Sequence, residues 1–555
     1  MTAPLVLPSR DDPVAAGAAD AIGGPPGAHA RLGRARFWTP LRVLLAFVAL
    51  TSLLGFAQKA PCRSGSSWQH EYQYTRACYT DVVALYSAEG LSDGKTPYYQ
   101  HPVEYPVVIG GVMWVSSGLA RGLESLHHDS DTQKALDQLA AATTPADAAK
   151  ARSSVDYRKA IARGRHFYDV TWALMTACAM IVVIALAKTA GRRPWDAAMF
   201  ALSPALLLHA TTNWDLVAVA FATLGVWAWA RKHPVLAGVL FGLGTATKLY
   251  PVLFLIPLLG LCLRGRRMKA WGAVAGATLV TAIGLTLPFY LTAPHYADIN
   301  GSPVKVPVSS VLPLHCQLTE AGVTHLETGR CPTKVPAGET AVQVTNAVYR
   351  FFDLNETRGA DWDSLYLQVI DARGWTSGNN WFSRLVAQTG PTPTELNAVV
   401  AGGVLLVAAG VVVLCLVAPR RPRVPQVLFL MLTGFLLVNK VDSPQYVLWL
   451  VPLAVLARPR WRLFLAWQAT EVLVLLSRFY FFIGNDALNK GRSEGIDMKW
   501  FFAAVLLRDA LLVVYSAFVI REIWRPDTDV VRAEGEDDPA GGVLDGAPDR
   551  SAVLA

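Results

Sequence analysis

The sequence predicts an all-α polytopic membrane protein, a bundle of about twelve transmembrane helices. Of its 555 residues, 53% are hydrophobic and 17% are charged, and the mean hydropathy of +0.32 is too apolar for a soluble domain. Apolar runs of about 20 residues, the length that crosses a hydrocarbon core ~30 Å thick, recur along the chain. Such long unbroken runs favour helices over a β-barrel, the other structure that satisfies the backbone in lipid.

Twelve candidate spans follow one another, each a mostly apolar run bounded by charged or polar residues. The first run follows a cluster of arginines and is interpreted as an uncleaved signal anchor, because many spans come after it. Residues 1–36, rich in Ala, Gly and Pro, and the acidic residues 522–555 are predicted to be disordered. The spans cover residues 40–57, 167–188, 195–211, 214–230, 234–248, 250–264, 270–291, 396–418, 424–439, 444–457, 461–483 and 500–521.

Clusters of lysine and arginine mark alternate connections between these spans. The positive-inside rule places these connections and both termini in the cytoplasm of a plasma-membrane protein. The net charge of +8 therefore reflects membrane orientation, and no nucleic-acid partner is expected. The clusters are Arg34 and Arg36; Lys188, Arg192 and Arg193; Arg231 and Lys232; Arg264, Arg266 and Arg267; Arg420, Arg421 and Arg423; Arg458, Arg460 and Arg462; and Arg521 and Arg525.

This orientation gives the chain two large extracytoplasmic loops. Residues 37–291 form an N-terminal transmembrane module, which includes the first outer loop, 58–166. The second outer loop, 292–395, precedes the C-terminal transmembrane helices 396–521. Both loops are expected to face the extracytoplasmic compartment.

One further apolar segment, Val107–Leu119, does not fit this pattern as a span. If it crossed, Arg192 and Arg193 would move to the outer side, against the positive-inside rule. It is also shorter than the ~20 residues that a span needs. We therefore predict a re-entrant or interfacial helix, with an ordinary span and a displaced charge cluster as the alternative. The charged, Ala-rich residues 129–165 are predicted to be a mobile or helical insertion.

Four of the seven cysteines lie in the two outer loops, in close pairs. An even number of cysteines in an oxidising compartment permits disulfides. Cys62–Cys78 and Cys316–Cys331 are the economical pairings, although the connectivity cannot be read from the sequence. No cluster has the ligand spacing of a zinc site, so neither a metal nor another cofactor is predicted.

Polar residues gather on the predicted outer side. Asp81 follows the first span, and an ionisable residue beside a membrane segment is a functional-site candidate because it is costly to keep there. Lys248 and Lys440 end otherwise apolar spans on the side where the positive-inside rule makes lysine rare. The remaining candidates in these loops and turns are His101, Glu104, Tyr105, Asn213, Asp215, Tyr250, Arg384, Gln445 and Tyr446.

Several of these residues also have a purely structural interpretation. A lysine at a helix end commonly extends its ammonium to the membrane interface. Asp215 can cap the helix that follows it. Tyr446 can belong to an aromatic belt, and His101 can be a structural or solvated histidine, since a lone histidine is weak support for a site.

The order and sidedness of these motifs resemble those of the GT-C glycosyltransferases, and within them family 87. Val107 stands where that family commonly has a second proline, which is a departure from its pattern. The resemblance covers roughly residues 40–521. The matching residues are Asp81, the pair Tyr105-Pro106, the stretch from Gly238 to Thr247-Lys248-Leu249-Tyr250-Pro251, and Ser443-Pro444-Gln445-Tyr446-Val447-Leu448-Trp449.

The resemblance implies a GT-C-type bundle that transfers a hexose, with mannose favoured, from a polyprenyl-phosphate sugar to a glycolipid or glycan acceptor. Asp81 would be the general base of an inverting transfer. A divalent metal would not be required, because basic side chains can stabilise a monophosphate leaving group. The donor phosphate would be bound by Lys248, Tyr250, Lys440, Gln445, Tyr446 and Arg384, and the acceptor or sugar by His101, Glu104, Tyr105, Asn213 and Asp215.

Two other function classes remain open from the sequence. A lipid or solute transporter would place polar groups near the bilayer midplane on broken helices, often in repeated halves, and no such repeat is visible. A non-catalytic scaffold for envelope assembly would use its large outer loops to bind partners. Convergence of Asp81, Lys248 and the Lys440–Tyr446 turn on one cavity would favour the enzyme.

Overall fold

The structure is a computed structural model, and it describes most of the chain as a bundle of α-helices with one small sheet. The described residues are 5–8, 11–21, 37–63, 71–126, 130–299, 302–306, 316–319, 341–367, 393–489, 494–533 and 535–549. Many helix ends fall where prolines and charged residues bound the predicted spans. Proline at the start of a helix costs no hydrogen bond, because the first amides of a helix have no intrahelical acceptor.

The helices of the N-terminal part precede the sheet, and the others follow it. In chain order the first are α1 (Pro13–Ala21), α2 (Pro40–Lys59), α3 (Tyr72–Thr75), α4 (Asp81–Ala88), α5 (Val107–Leu126), α6 (Ser130–Ala140), α7 (Pro145–Thr189), α8 (Ala198–Ala201), α9 (Pro204–His209), α10 (Asp215–Ala230), α11 (Pro234–Thr245), α12 (Leu255–Arg264) and α13 (Met268–Thr292). The others are α14 (Arg350–Thr357), α15 (Pro393–Val417), α16 (Val424–Val438), α17 (Val447–Ala457), α18 (Trp461–Asn489), α19 (Met498–Trp524) and α20 (Val530–Ala533).

Membrane character is supported by the apolar helices of the described chain. Five are long and apolar enough to cross a bilayer by length and composition, and five more apolar helices are 10–17 residues long. The total of twelve crossings and their orientation remain predictions. The five long ones are Pro40–Cys62, Pro145–Thr189, Met268–Thr292, Thr394–Val417 and Met498–Trp524.

The predicted span 195–211 is not one helix. A 3-10 turn over Pro194–Ala197 leads into the short helices α8 and α9, and Pro204 cannot donate the hydrogen bond that would join them. Side chains from other helices bind the freed backbone groups. Thr51 on α2 donates to Ala201 O at 2.7 Å, and Gln468 Oε1 on α18 accepts from Ala205 N at 3.1 Å. This break turns the chain toward the candidate site.

Two helices of the first outer loop are longer than the sequence predicted. The segment expected at Val107–Leu119 continues to Leu126, and one face of this helix is buried while Trp114 and Leu123 are exposed. The insertion at 129–165 is helical, because α6 packs against the first half of the 45-residue helix α7. The placement of α5 relative to the bilayer remains a prediction.

A four-stranded antiparallel sheet occupies part of the second outer loop, which the all-helical prediction did not include. Its strands are β1 (His295–Ile299), β2 (Ser302–Val306), β3 (Cys316–Thr319) and β4 (Ala341–Asn346), in the order β2-β1-β4-β3. Asn346 Nδ2 donates to the carbonyls of Tyr290 and Ala293, at 3.1 and 3.3 Å. These bonds fix the sheet to the end of α13.

The acidic C-terminal segment is packed, so the predicted disorder of 522–555 does not hold for its described residues. Asp529 is fully buried and accepts from Arg423 Nε at 2.6 Å and from Arg423 Nη2 at 3.0 Å. Trp229 Nε1 donates to Gly541 O at 3.1 Å. The composition suggested disorder, but arginines distant in sequence compensate the acidic residues.

Part of the N-terminal segment predicted as disordered is also structured. Within 1–36, the short helix α1 follows Asp12, whose Oδ2 accepts from Trp461 N at 2.9 Å. Asp11 forms an ion pair with Arg193 at 3.3 Å. These contacts hold residues 11–21 against the ends of α7 and α18.

Candidate functional site

A cavity of about 940 Å³ lies where the loops and turns predicted to be outer meet the ends of the helices. We call it the central cavity. Segments from widely separated parts of the chain line it, including the first outer loop and the connections before α10, α12 and α17. Of the candidates from the sequence, it is lined by Asp81, Glu104, Tyr105, Asn213, Lys248, Tyr250, Gln445 and Tyr446.

Asp81 is held at the cavity wall by local helix capping and by a neighbouring turn. It is the first residue of α4, and Thr80 caps that helix by accepting from Val82 N at 3.2 Å. The backbone of this turn then pairs with the turn before α10. Asp81 N donates to Thr212 O at 2.8 Å, and Thr80 Oγ1 donates to Thr211 O at 2.6 Å. The carboxylate is therefore placed by fixed backbone rather than by a free loop.

Asn213 joins Asp81 to Tyr105. Its amide nitrogen donates to Asp81 Oδ2 at 2.8 Å and lies 2.7 Å from the Tyr105 hydroxyl, while its Oδ1 accepts from Trp214 N at 2.7 Å. Because Oδ1 already accepts a backbone hydrogen bond, both amide hydrogens point toward the cavity side. Asn213 is 2% exposed, so this arrangement orients the carboxylate within the wall.

Lys248 occupies another part of the same wall. Its Nζ lies 3.7 Å from Asp215 Oδ1 and 4.7 Å from the centre of the Tyr105 ring. Asp215 is fully buried, and Trp449 Nε1 donates to the same Oδ1 at 2.7 Å. Asp215 thus holds the Lys248 ammonium at the edge of the cavity. The start of α5 also reaches this region, since Val108 N donates to Ala246 O at 3.2 Å.

Stacked aromatic rings form the wall beside Lys248. Tyr446 stacks on Trp449 with ring centres 3.9 Å apart, and Tyr250 stacks on the same indole at 4.5 Å. Lys248 Nζ is 6.0 Å from the Tyr446 ring centre. Rings of this kind offer both apolar surface and hydroxyl groups, which suits a ligand with a charged head and an apolar part.

Three candidates lie outside the cavity lining, and the structure gives each another role. Lys440 Nζ donates to the carbonyls of Arg358 and Glu356, at 2.5 and 3.4 Å, and so fixes the segment after α14; its phosphate role stays a prediction. His101 is buried against Pro102 O at 2.8 Å and Glu89 at 3.7 Å. Asp215 acts through Lys248, as described above. The sequence did not show where these three side chains point, because the position of a residue along the chain does not fix the direction of its side chain.

Burial changes the acid–base properties of several loop residues at the cavity. It raises the pKa of Glu104 to about 7, with the nearby carboxylates of Glu89 and Asp81 adding to the effect. Burial and the charge of Asp81 likewise raise the pKa of Tyr79 and of Tyr105 well above the usual value. The two phenols therefore stay protonated at neutral pH and can donate hydrogen bonds, whereas Glu104 changes charge near pH 7.

The cavity also contains ionisable residues that the sequence reasoning did not select. Lys59, which ends α2, donates to Tyr79 O at 2.6 Å, and Arg478 on α18 pairs with Asp363 at 3.0 Å. His209 at the end of α9 lines the same space. The signal for Arg478 was present, because an arginine inside an apolar span is a functional candidate by default. The other cavity-lining ionisable residues that were missed include Tyr79, Arg358 and Asp361.

Cys62 and Cys78 form a disulfide with their Cα atoms 5.6 Å apart. This is one of the two pairings that the sequence left open, and it joins the end of α2 to the turn before Asp81. The second pairing, Cys316–Cys331, cannot be assessed because Cys331 is outside the described residues, as is Arg384. Among the described residues, no group of three or more His, Cys, Asp or Glu side chains could hold a metal ion.

Comparison with known families gives one match. Residues 164–299 match the model of glycosyltransferase family 87, which confirms the resemblance drawn from the motifs over that segment. The match includes Asn213, Lys248 and Tyr250, but neither Asp81 nor the turn before α17. A search of curated proteins gave no match. The family indicates a glycosyltransferase, and the apolar helices indicate a membrane protein.

Proposed function

We propose that this glycosyltransferase moves a hexose, with mannose favoured, from a polyprenyl-phosphate carrier to a glycolipid or glycan acceptor at the extracytoplasmic face. The proposal rests above all on one observation. Asp81, Asn213, Tyr105 and Lys248, from four separate segments, line one cavity with a carboxylate and a cation on its wall. A base and an anion site in one enclosure are what sugar transfer from a phosphate carrier requires.

In the proposed reaction Asp81 is the general base. Its carboxylate takes the proton of an acceptor hydroxyl while that oxygen attacks the anomeric carbon of the sugar. The bond from the anomeric carbon to the phosphate oxygen breaks, and its electron pair leaves with the phosphate. Attack from the face opposite the leaving group inverts the anomeric configuration. The hydrogen bond from Asn213 keeps the second carboxylate oxygen in place during this step.

Lys248 is the proposed partner of the leaving phosphate. A lysine ammonium near the developing charge stabilises the transition state most where water is excluded. Lys248 is 7% exposed, and Asp215 and the ring of Tyr105 hold its ammonium in position. Tyr250, Gln445 and Tyr446 line the cavity beside it and supply polar groups for the phosphate oxygens. On this proposal a lysine serves the monophosphate, and a divalent metal is not required.

The test uses purified protein in nanodiscs with radiolabelled polyprenyl-phosphate mannose. Membranes of source cells that lack this protein serve as the acceptor pool. We expect Asp81→Asn to lower transfer by about 10²–10⁴-fold, the usual contribution of a positioned base. The matched control is Asp93→Asn, an exposed acid of the same loop. Transfer by Asp81→Asn at the wild-type rate would refute the assignment of the base.

The same assay tests the donor and the metal. Polyprenyl-phosphate arabinose and polyprenyl-phosphate glucose replace the mannose donor in parallel reactions, and mannose is expected to give the fastest transfer. EDTA is expected to leave the rate unchanged. A rate that falls with EDTA and returns with added Mg²⁺ would contradict the metal-independent step.

A further inference from the structure

His209 is a buried side chain on the cavity wall that the proposed reaction does not use. It is 1% exposed and ends α9, next to the turn that carries Asn213. Its Nε2 atom is enclosed and has no hydrogen-bond partner among the described residues. A buried polar atom without a partner costs free energy of folding, and a ligand group in the cavity that bonds to Nε2 would remove this cost.

The neighbouring threonine determines which ring nitrogen of His209 carries the hydrogen. Thr212 Oγ1 donates its hydrogen to Leu208 O at 3.2 Å, so toward the histidine it can only accept. Nδ1 of His209 lies 3.4 Å from that oxygen. We therefore assign the hydrogen to Nδ1 from this network, which leaves Nε2 with a lone pair. The unpartnered atom is an acceptor.

The charges around His209 favour a neutral ring. The charged groups that act on it most strongly are the basic side chains of Lys59 and Arg478, which disfavour a positive charge on the ring. Lys59 is fixed by Tyr79 O, and Arg478 by Asp363. A neutral imidazole acceptor in this position pairs best with a hydroxyl, since an anion cannot donate a hydrogen bond.

We propose that His209 Nε2 accepts a hydrogen bond from a carbohydrate hydroxyl other than the attacking one, and so helps to select the sugar. This inference rests on the proposed function and names a specificity residue of the same cavity. The hydroxyl belongs either to the transferred hexose or to the acceptor glycan, which share this chemistry. A site built to bind a hydroxyl discriminates strongly against the analogue that lacks it, because its buried acceptor is then left unpaired.

The first test measures binding and does not depend on activity. Protein in nanodiscs is titrated with octyl mannoside below its micellar concentration and with the set of its monodeoxy analogues, and the ligand-induced rise in Tm is recorded. We expect one analogue to bind wild type about 10-fold or more weakly than the parent. His209→Gln, which can place an amide oxygen near the position of Nε2, should keep this difference. His209→Asn, which reaches only the position of Nδ1, should lose it.

Matched controls separate specific from structural effects. His233→Gln, an exposed histidine beside α11, should behave as wild type. If His209→Asn does not fold, Thr212→Val carries the test, because it removes the acceptor that holds the hydrogen on Nδ1, and the penalty for the deoxy analogue should shrink. Equal binding of parent and all analogues by wild type would overturn the proposal. The proposal would also be overturned if the deoxy analogue still bound more weakly than the parent in His209→Asn or, where that variant does not fold, in Thr212→Val.

Kinetics identify the source of the hydroxyl and distinguish His209 from a base. His209→Asn should raise KM about 10-fold or more for the one substrate that carries the hydroxyl, donor or acceptor. The pH profile of kcat/KM should be the same in wild type and His209→Gln, because a neutral acceptor does not titrate in the reaction; a shifted profile would overturn the proposal. If wild type discriminates the deoxy analogue but transfers nothing from a polyprenyl-phosphate donor, the proposed donor fails and the hydroxyl site stands.

Discussion

The two ends of the helix bundle both bury charged side chains, but the pairing of those charges differs. At the end opposite the cavity, Arg423 has two contacts with Asp529 and donates as well to the carbonyls of Leu456 and Ala457, at 2.8 and 2.6 Å. At the cavity end, Lys248 is 3.7 Å from Asp215. Helix α16 connects the two, since it begins after Arg423 and ends at the cavity.

This difference separates charges that maintain the fold from charges that remain available to a ligand. Protein oxygens use four of the five N–H donors of Arg423, which leaves its guanidinium little capacity for a substrate. Lys248 and Asp81 line the cavity and have fewer protein partners, so they retain donors and lone pairs for a phosphate and a hydroxyl. The burial of a charged side chain alone therefore does not identify the site. A buried charge that is incompletely paired and lies beside a cavity does.

The largest effect is expected where pairing is complete. Asp529→Asn keeps the shape of the side chain but removes the charge that pairs directly with buried Arg423, which should cost about 3–5 kcal/mol of stability. The measurement is Tm of the purified protein, followed by the specific activity of the folded fraction, which should stay near wild type. Asp527→Asn, an exposed acid two residues earlier, is the control. Equal melting of both variants would show that the tail contact does not stabilise the bundle.

The two lysines offer a matched comparison within the cavity end. Lys248→Gln should lower kcat/KM for the donor about 10²-fold or more, because it removes the charge proposed to face the leaving phosphate. Lys440→Gln should leave the donor kcat/KM of folded protein within a few-fold of wild type. Its Tm should fall instead, since the carbonyls of Glu356 and Arg358 lose their donor. The reverse pattern would restore the phosphate role that the sequence predicted for Lys440.

The smallest effect is expected for Glu104, through pH. Its folded-state pKa is raised from 4.5 to about 7, so the folded protein binds the proton more tightly than the unfolded chain. Stability should therefore fall as pH rises between about 4.5 and 7, and Glu104→Gln should recover it at pH 8 while changing it little at pH 4.5. Melting curves of both proteins across this range provide the check. An equal gain at both pH values would mean that charge is not the cause.

The sequence predicted the helical membrane character of the chain but not the packing of its tail, for physical reasons. Helix ends could be predicted because prolines and charged residues bound apolar runs. Examples are Pro40 in α2 and Pro425, two residues after Arg423, at the start of α16. The packing of the tail could not be predicted, because its composition resembles that of a disordered segment. Its partners are also distant in sequence, as Arg423 is from Asp529. The sheet in the second outer loop is made of strands of four to six residues, which are too short to give a clear pattern.

For the site, the sequence identified the residues that short motifs carry. Asp81, Asn213, Tyr105 and Lys248 were selected, and they line one cavity. The direction of a side chain could not be read from its position in a motif, which is why the sequence did not show that Lys440 binds the carbonyls of Glu356 and Arg358. Lys59, just past the end of an apolar span, was passed over, and so was Arg478, although an arginine inside an apolar span is a functional candidate by default.

The break between α8 and α9 determines which parts of the enzyme can move. Backbone groups freed by Pro204 are bonded to Thr51 and Gln468, so straightening or bending this corner would leave them unpaired at membrane depth, where each costs several kcal/mol. We therefore expect the corner that leads to His209 to keep its shape when a ligand enters the cavity, so that any adjustment to the ligand falls on the loops rather than on this corner.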